Sequence, residues 1–234
     1  MNIASAKNKG YYKIKGAASA FDFDFRDKVV LDIGSSTGGF TEYALEQGAK
    51  KVIAVEKGTN QMKSPLRGDP RVELHEKTDI FEVRATDSPS EPRIQTSSFE
   101  GLRSAAARAE APAAHGDGPA GRGPRKNLVC IPYPDVIVAD VSFVPLTKVL
   151  AYAKLKLARS NTDFLVMLKP QFETTDQRDL NRGVVKNESI RRKIIKNFEL
   201  WLKTHGFIVI KKRDNALAGR HGNVERFYHL RLAK

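Results

Sequence analysis

Residues 28–48 read KVVLDIGSSTGGFTEYALEQG, and this stretch decides the fold. Lys28 to Ile33 is a short apolar run interrupted by Asp32 and ending at Gly34, the pattern of a buried parallel strand that feeds a tight turn. From Thr37 to Gln47 the apolar spacing becomes helical, through Phe40, Ala44 and Leu45, and Gly48 closes it. The glycines fall at 34, 38 and 39, so the dinucleotide fingerprint G-x-G-x-x-G is absent. Gly34 permits the turn, and Gly38 and Gly39 would let backbone approach a ligand closely. An Asp-x-Gly-x-x-x-Gly-Gly turn thus directs the reading to a nucleoside-bearing ligand without a pyrophosphate, with an unliganded Gly-rich turn as the alternative.

Working outward, strand and helix signals alternate. Val52–Val55 and Val72–His75 read as the second and third strands, Asp135–Ala139 as a fourth and Phe164–Leu168 as a fifth, with a helix from Lys148 to Ala158 between the last two. Asn187 is placed to cap a long helix over Ser189 to Thr204, with Ile190, Ile194, Ile195, Phe198 and Leu202 on one face and Gly206 as its stop. Phe207–Ile210 and Arg226–Leu232 complete the set, the latter alternating as an antiparallel edge strand would. Repeated βα units ending in a hairpin-like pair predict an α/β domain: a doubly wound, mostly parallel sheet with helices on both faces. One domain over 1–234 accommodates this pattern. Residues 84–127 stand apart, with 5 of the 11 prolines, 9 Ala, 5 Gly and 5 Ser against three large apolar residues, Ile94, Phe99 and Leu102. Such a segment buries too little to offset its ordering entropy and reads as a disordered insertion, with at most a transient helix at 102–111.

Charge is distributed unevenly. The chain of 234 residues carries a net +13; segment 169–234 holds 16 basic and 7 acidic residues, while 32–83 holds 7 and 9. A near-neutral middle and a basic C-terminal third suit a polyanionic partner, although a solvated basic surface has the same composition. Candidate phosphate contacts are Arg182, Lys186, Arg191, Arg192, Lys211, Lys212, Arg213 and Arg220, with Lys7 and Lys9 beside the entrance. The single Cys130 excludes an intramolecular disulfide framework and a Cys-rich zinc site, so no metal is expected and a reducing, cytoplasmic setting is. No apolar run reaches the length of a membrane span, and the N-terminus has no signal-peptide core.

In a doubly wound sheet the ligand lies beyond the carboxyl ends of the strands. Glu56 follows the second strand, where a carboxylate would accept both hydroxyls of a ribose. Asp79 follows the third, in reach of an adenine amino group. Both have a plain alternative as strand-end charges facing water.

Seven stretches now fall into one order: DIGSSTGGFT (32–41), AVEKGTNQ (54–61), DPRV (69–72), EKTDI (76–80), ADVSF (139–143), LKPQFE (168–173) and GNVE (222–225). Together they resemble the TlyA family, hemolysin-named ribosomal RNA 2′-O-methyltransferases related to the FtsJ/RrmJ group. The resemblance covers nearly the whole chain except 84–127. It implies a class I methyltransferase fold and S-adenosylmethionine as cofactor, with family positions at Asp32, Gly34, Ser35, Thr37, Gly38, Gly39, Phe40, Glu56, Asp79 and Asp140. The Lys-Asp-Lys-Glu tetrad of the wider group falls on Lys13, Asp140, Lys169 and Glu225, with Lys15 a competitor for the first place. Family members usually begin with a small S4-type RNA-binding domain, and only about ten residues precede the matched region here.

A ribose hydroxyl is a poor nucleophile and a sulfonium methyl a strong electrophile, so such an enzyme must align the two and assist the proton's departure. Lysine removes a proton only in its neutral form, which burial or the neighbouring cation Lys13 favours and Asp140 and Glu225 oppose. Stabilising the developing alkoxide is the other role open to Lys169. Tyr11, Tyr12 or Phe172 offers a face for a displaced base. Two further functions stand beside the enzyme: a noncatalytic ribosome-assembly factor that binds RNA, and a membrane-active hemolysin. The last would need an apolar insertion segment, and the 189–204 helix is expected to spend its apolar face on the sheet.

Overall fold

A computed structural model describes residues 7–87, 128–217, 219 and 222–233. The first strand, β1 (Val29–Ile33), is the middle one of five parallel strands in a seven-stranded sheet. It pairs in parallel with β2 (Lys51–Val55) on one side and with β6 (Val136–Ala139) on the other. Outside β2 runs β3 (Val72–His75), also parallel, and outside β6 runs β7 (Asp163–Leu168). The chain then reverses: β11 (Arg226–Leu232) is antiparallel to β7, and β10 (Phe207–Asp214) is antiparallel to β11. The order is β10-β11-β7-β6-β1-β2-β3, and five parallel strands therefore deliver their carboxyl ends to one edge.

Successive residues of a strand face opposite sides, and both sides here are apolar. Val30, Val52, Val138, Leu165 and Phe227 face two helices, α1 (Lys9–Phe21) and α2 (Gly39–Glu46). Leu31, Ile53, Ile137, Val166 and Tyr228 face α3 (Leu146–Lys156) and α5 (Glu188–Thr204). The doubly wound architecture expected from the alternation is therefore the one observed. Asn187 caps α5 by accepting from the Ile190 amide at 2.9 Å, as its position suggested.

Four elements depart from the sequence reading. Residues 9–21 form α1, to which no element had been assigned; Tyr11, Ile14, Ala17, Ala18 and Phe21 recur at helical spacing and are buried. β11 is antiparallel as expected but is not an edge: Phe227 and Tyr228 are buried on opposite faces, and β10 takes the border with Ile208, Ile210 and Lys211 exposed. The strand at 207–210 continues to Asp214, because β11 offers a partner along that whole length. The low-complexity segment begins later than residue 84: β4 (Val83–Thr86) pairs in parallel with β5 (Val129–Pro132), anchored by buried Val83 and Ile131. Residues 88–127, including the expected disorder and the 102–111 helix, lie outside the described residues.

Candidate active site

The carboxyl edge of the sheet gathers the residues singled out by the sequence. Gly34 leaves β1 with φ +80°, and a Cβ there would sit 3.2 Å from the Asp140 carbonyl oxygen, so a side chain would be strained in backbone and tightly crowded. The loop ends of β1 and β6 are thereby pressed together. Asp32 is fully buried; its Oδ2 accepts from Thr41 Oγ1 at 2.6 Å, and its Oδ1 has no hydrogen-bond partner. Burial, reinforced by the nearby Asp140 charge, pushes its carboxyl up to about 7. Ser35 Oγ is likewise buried and unpartnered. Two orphaned polar atoms at the tip of β1 and in the glycine turn are what a site for a polar ligand looks like from the protein side.

Across the turn, Glu56 accepts at Oε2 from the Ser36 amide (2.8 Å) and at Oε1 from the Gly58 amide (2.6 Å), which fixes its carboxylate against the loop. Asp79 Oδ1 accepts from the Phe81 amide, and Lys57 reaches Oδ2 at 3.1 Å. Thr37 Oγ1 accepts from Asn8 Nδ2. Two predicted roles change in kind. Gly39 was expected to admit a ligand; its missing side chain instead admits the N-terminus of α1, since a Cβ would lie 2.6 Å from the Tyr11 amide nitrogen and collide with Asn8. Phe40 is buried against Phe227, so its side chain serves the core. Gly38 opens α2 with Met62 and Leu66 over its Cα.

The four residues of the tetrad form two ion pairs. Lys13 Nζ on α1 lies 2.6 Å from Glu225 Oε2, with exposures of 9% and 3%. Asn215 also donates to Glu225, and Gly219 leaves room for it: a Cβ there would stand 2.7 Å from Oε1. Lys169 Nζ lies 2.5 Å from Asp140 Oδ1 and donates to Ser142 Oγ at 2.8 Å, with exposures of 11% and 22% for the pair. Because Arg226 is paired in register with Leu168, Glu225 and Lys169 leave adjacent strands at the same edge. Ile33 is likewise paired with Ala139, so Asp140 borders the glycine turn. Lys169 is extended (φ −110°, ψ 99°), as Pro170 requires. Lys15, the competitor for the first place, is exposed.

Sequence reasoning missed two residues beside these pairs. Phe143 is 89% exposed and holds φ +65°, a left-handed conformation unusual for a bulky side chain; its ring meets Phe172 at 5.2 Å. Glu173 ends α4 (Pro170–Glu173) and accepts from the Leu146 amide and from Thr147 Oγ1. Burial pushes the Glu173 carboxyl above the usual range, against these hydrogen bonds. The signal for both lay in the motifs ADVSF and LKPQFE, past the residues first assigned roles. Of the predicted phosphate contacts, Arg191 is corrected: it is buried, with ion pairs to Glu188 and Asp214 and a bond to the Val224 carbonyl. Lys7 pairs with Glu42 and Glu46, and Lys212 with Glu199, whereas Arg182 is exposed at the turn joining β8 (Leu180–Asn181) to β9 (Val184–Val185). Arg220 lies outside the described residues.

A model of the FtsJ-like methyltransferases matches residues 6–232. The chain belongs to the FtsJ-like methyltransferase family. It is 31% identical over 224 residues to the 16S/23S rRNA (cytidine-2′-O)-methyltransferase TlyA of Mycobacterium tuberculosis, a match spanning 96% of this chain and 68% of that protein. It is 30% identical to Hemolysin A of Brachyspira hyodysenteriae, over 93% of this chain and 73% of that one. A solved structure from Streptococcus thermophilus with a provisional hemolysin assignment superposes with a TM-score of 0.73 at 26% identity, covering all of this chain and 69% of that one. The FtsJ-like chain is thus of the TlyA type, spanning between 64% and 73% of the length of its curated relatives. Among the described residues no helix is long and apolar enough to cross a membrane, and α5 buries Ile194, Ile195, Phe198 and Leu202.

Proposed function

We propose that this FtsJ-like chain transfers a methyl group from S-adenosylmethionine to a ribose 2′-hydroxyl of ribosomal RNA in the cytoplasm, acting as one methyltransferase domain. The observation that carries the reading is the pair of lysine–carboxylate contacts, Lys169–Asp140 and Lys13–Glu225, at the edge where the glycine turn leaves β1. The unpartnered Asp32 Oδ1 and Ser35 Oγ fit a polar cofactor beside that turn. Asp32, Gly34, Ser35, Thr37 and Gly38 would hold its amino-acid and sugar portions. Glu56 Oε2, with one donor already in place, keeps a lone pair for a ribose hydroxyl, and Asp79 is left to the base. When bound, the cofactor supplies an electrophilic methyl that needs no further activation.

The remaining work belongs to the chain. Lys169, fixed by Asp140 and Ser142, points an ammonium at the place where the substrate oxygen becomes anionic, and stabilises it there. The hydroxyl proton would pass to solvent water as the oxygen attacks, and the carboxylates hold both lysines in place. RNA is positioned through phosphate contacts that do not read sequence, for which Arg182, Lys186 and Arg192 are exposed.

Transfer of labelled methyl to ribosomes, isolated subunits and naked ribosomal RNA tests the reading, with the product mapped for 2′-O-methylation. Lys169→Ala is expected to lower the rate by about 10³-fold. Label on a base rather than a ribose, or undiminished transfer by Lys169→Ala, would refute it. Absence of any transfer with cofactor binding intact would favour the noncatalytic RNA-binding role.

A further inference from the structure

The two loops that carry Lys169 and Asp140 are fastened to each other at a point remote from either residue. Asp140 is followed by five residues and then by the first turn of α3. That helix begins after Pro145, which supplies no capping side chain. Its exposed amides would ordinarily be met by a Ser, Thr or Asp just ahead of it. Here the cap comes from another element: Glu173, four residues beyond Lys169, accepts from the Leu146 amide and from the Thr147 hydroxyl. A carboxylate at a helix N-terminus also gains from the helix dipole, which offsets part of its burial cost.

Between the ion pair and this joint the loop is held in a conformation it would not choose. Phe143 has φ +65°, a left-handed backbone that a bulky residue rarely adopts and that persists only when the surroundings over-determine it. Its ring is held against Phe172, the residue next to Glu173. The 140–147 segment therefore meets the 169–173 turn at three places in register: Asp140 and Ser142 on Lys169, Phe143 on Phe172, and Leu146 with Thr147 on Glu173. Removing the last contact frees one end of a strained loop whose other end is the carboxylate that orients Lys169.

We infer that Glu173 is a positioning residue: by capping α3 from the Lys169 turn, it sets the placement of Asp140 against Lys169. This rests on the proposed methyl transfer for its kinetic consequence but not for its structural one. Two measurements are therefore made on the parent chain, Glu173→Ala and Glu173→Gln. The first is competitive labelling of lysines by acetic anhydride, read by mass spectrometry with Lys13 as internal reference. Loss of the joint is expected to raise Lys169 labelling at least 5-fold in Glu173→Ala, while Glu173→Gln, whose amide oxygen still accepts from Leu146, stays within 2-fold of the parent. The second is methyl transfer to ribosomal RNA: kcat is expected to fall at least 10-fold in Glu173→Ala, with the cofactor dissociation constant within 2-fold, and to recover within 3-fold in Glu173→Gln.

Unchanged Lys169 labelling in Glu173→Ala overturns the inference, as does equal damage by Ala and Gln. An inactive parent whose Lys169 labelling nevertheless follows Glu173 counts against the methyl-transfer reading alone. Should Glu173→Ala not fold, Thr147→Val decides, since it removes one of the two donors: a rise in Lys169 labelling supports the joint, and parent-like labelling overturns it.

Discussion

The two lysine–carboxylate pairs have the same chemistry and differ in how completely they are buried, Asp140 being 22% exposed and Glu225 3%. Lys13 and Glu225 are sealed beneath α1 and the last strand, whereas Lys169 and Asp140 stand at the open edge of the sheet with Ser142 beside them. A sealed pair carries a desolvation cost that only its own geometry offsets, so it acts as a joint between elements. An open pair is cheaper to keep and free to meet another molecule. One site thus contains a sealed pair and a more accessible one, and substitution should separate them.

The largest separation is expected in stability. Glu225→Ala leaves the Lys13 ammonium buried and unpaired, which should cost about 3–5 kcal/mol in urea unfolding. Asp140→Ala, in the less buried pair, should cost less, about 1–3 kcal/mol, because Lys169 keeps Ser142 and some access to water. Equal losses would erase the distinction. Asp32 is a third carboxyl, fully buried and with a hydroxyl rather than a lysine as partner. Held at about 7 in the folded chain against about 4 unfolded, it keeps its proton while the unfolded chain loses one. Its contribution is therefore full below pH ~4 and is lost as pH rises to ~7, a change of up to about 4 kcal/mol. Asp32→Asn should flatten that slope; an unchanged slope between pH 4.5 and 7.5 would mean that burial does not govern Asp32. The smallest effect is set by Lys7, whose contacts with Glu42 and Glu46 lie near the surface: Lys7→Ala should shift stability by about 0.5 kcal/mol, and a cost near that of Glu225→Ala would show that exposure is the wrong axis for the comparison.

The parallel core was readable because fully buried strands leave continuous apolar runs, as at 29–33, 136–139 and 163–168. The motif order supplied Asp140, Lys169 and Glu225, and the sheet brings all three to one edge. α1 was passed over although its buried residues recur every three or four positions, because Lys9, Lys13 and Lys15 and two glycines dilute its apolar stripe. β11 reads as an edge from its alternating polar residues; His229 and Arg231 find Asp163 across the neighbouring strand, a pairing that no local pattern contains. The same holds for Glu173 with Thr147 and for Arg191 with Asp214, partners 26 and 23 residues away in the chain. Gly39 shows the limit most plainly: a glycine marks a close approach without saying what approaches.

The Lys13–Glu225 pair joins the first helix to the threshold of the last strand, across nearly the entire polypeptide. During synthesis the glycine turn, Asp140 and Lys169 all emerge before their partner strand β11 exists. A nascent chain halted before residue 222 would possess the glycine turn, Asp140 and Lys169 and lack the clasp that seats Lys13. Under the proposed methyl transfer, competence would therefore wait for Glu225, and a copy stopped short of it could not act on ribosomal RNA. Ribosome-bound chains arrested at 215 and at full length plus a linker should differ in methyl transfer, and equal activity would show that the clasp is dispensable.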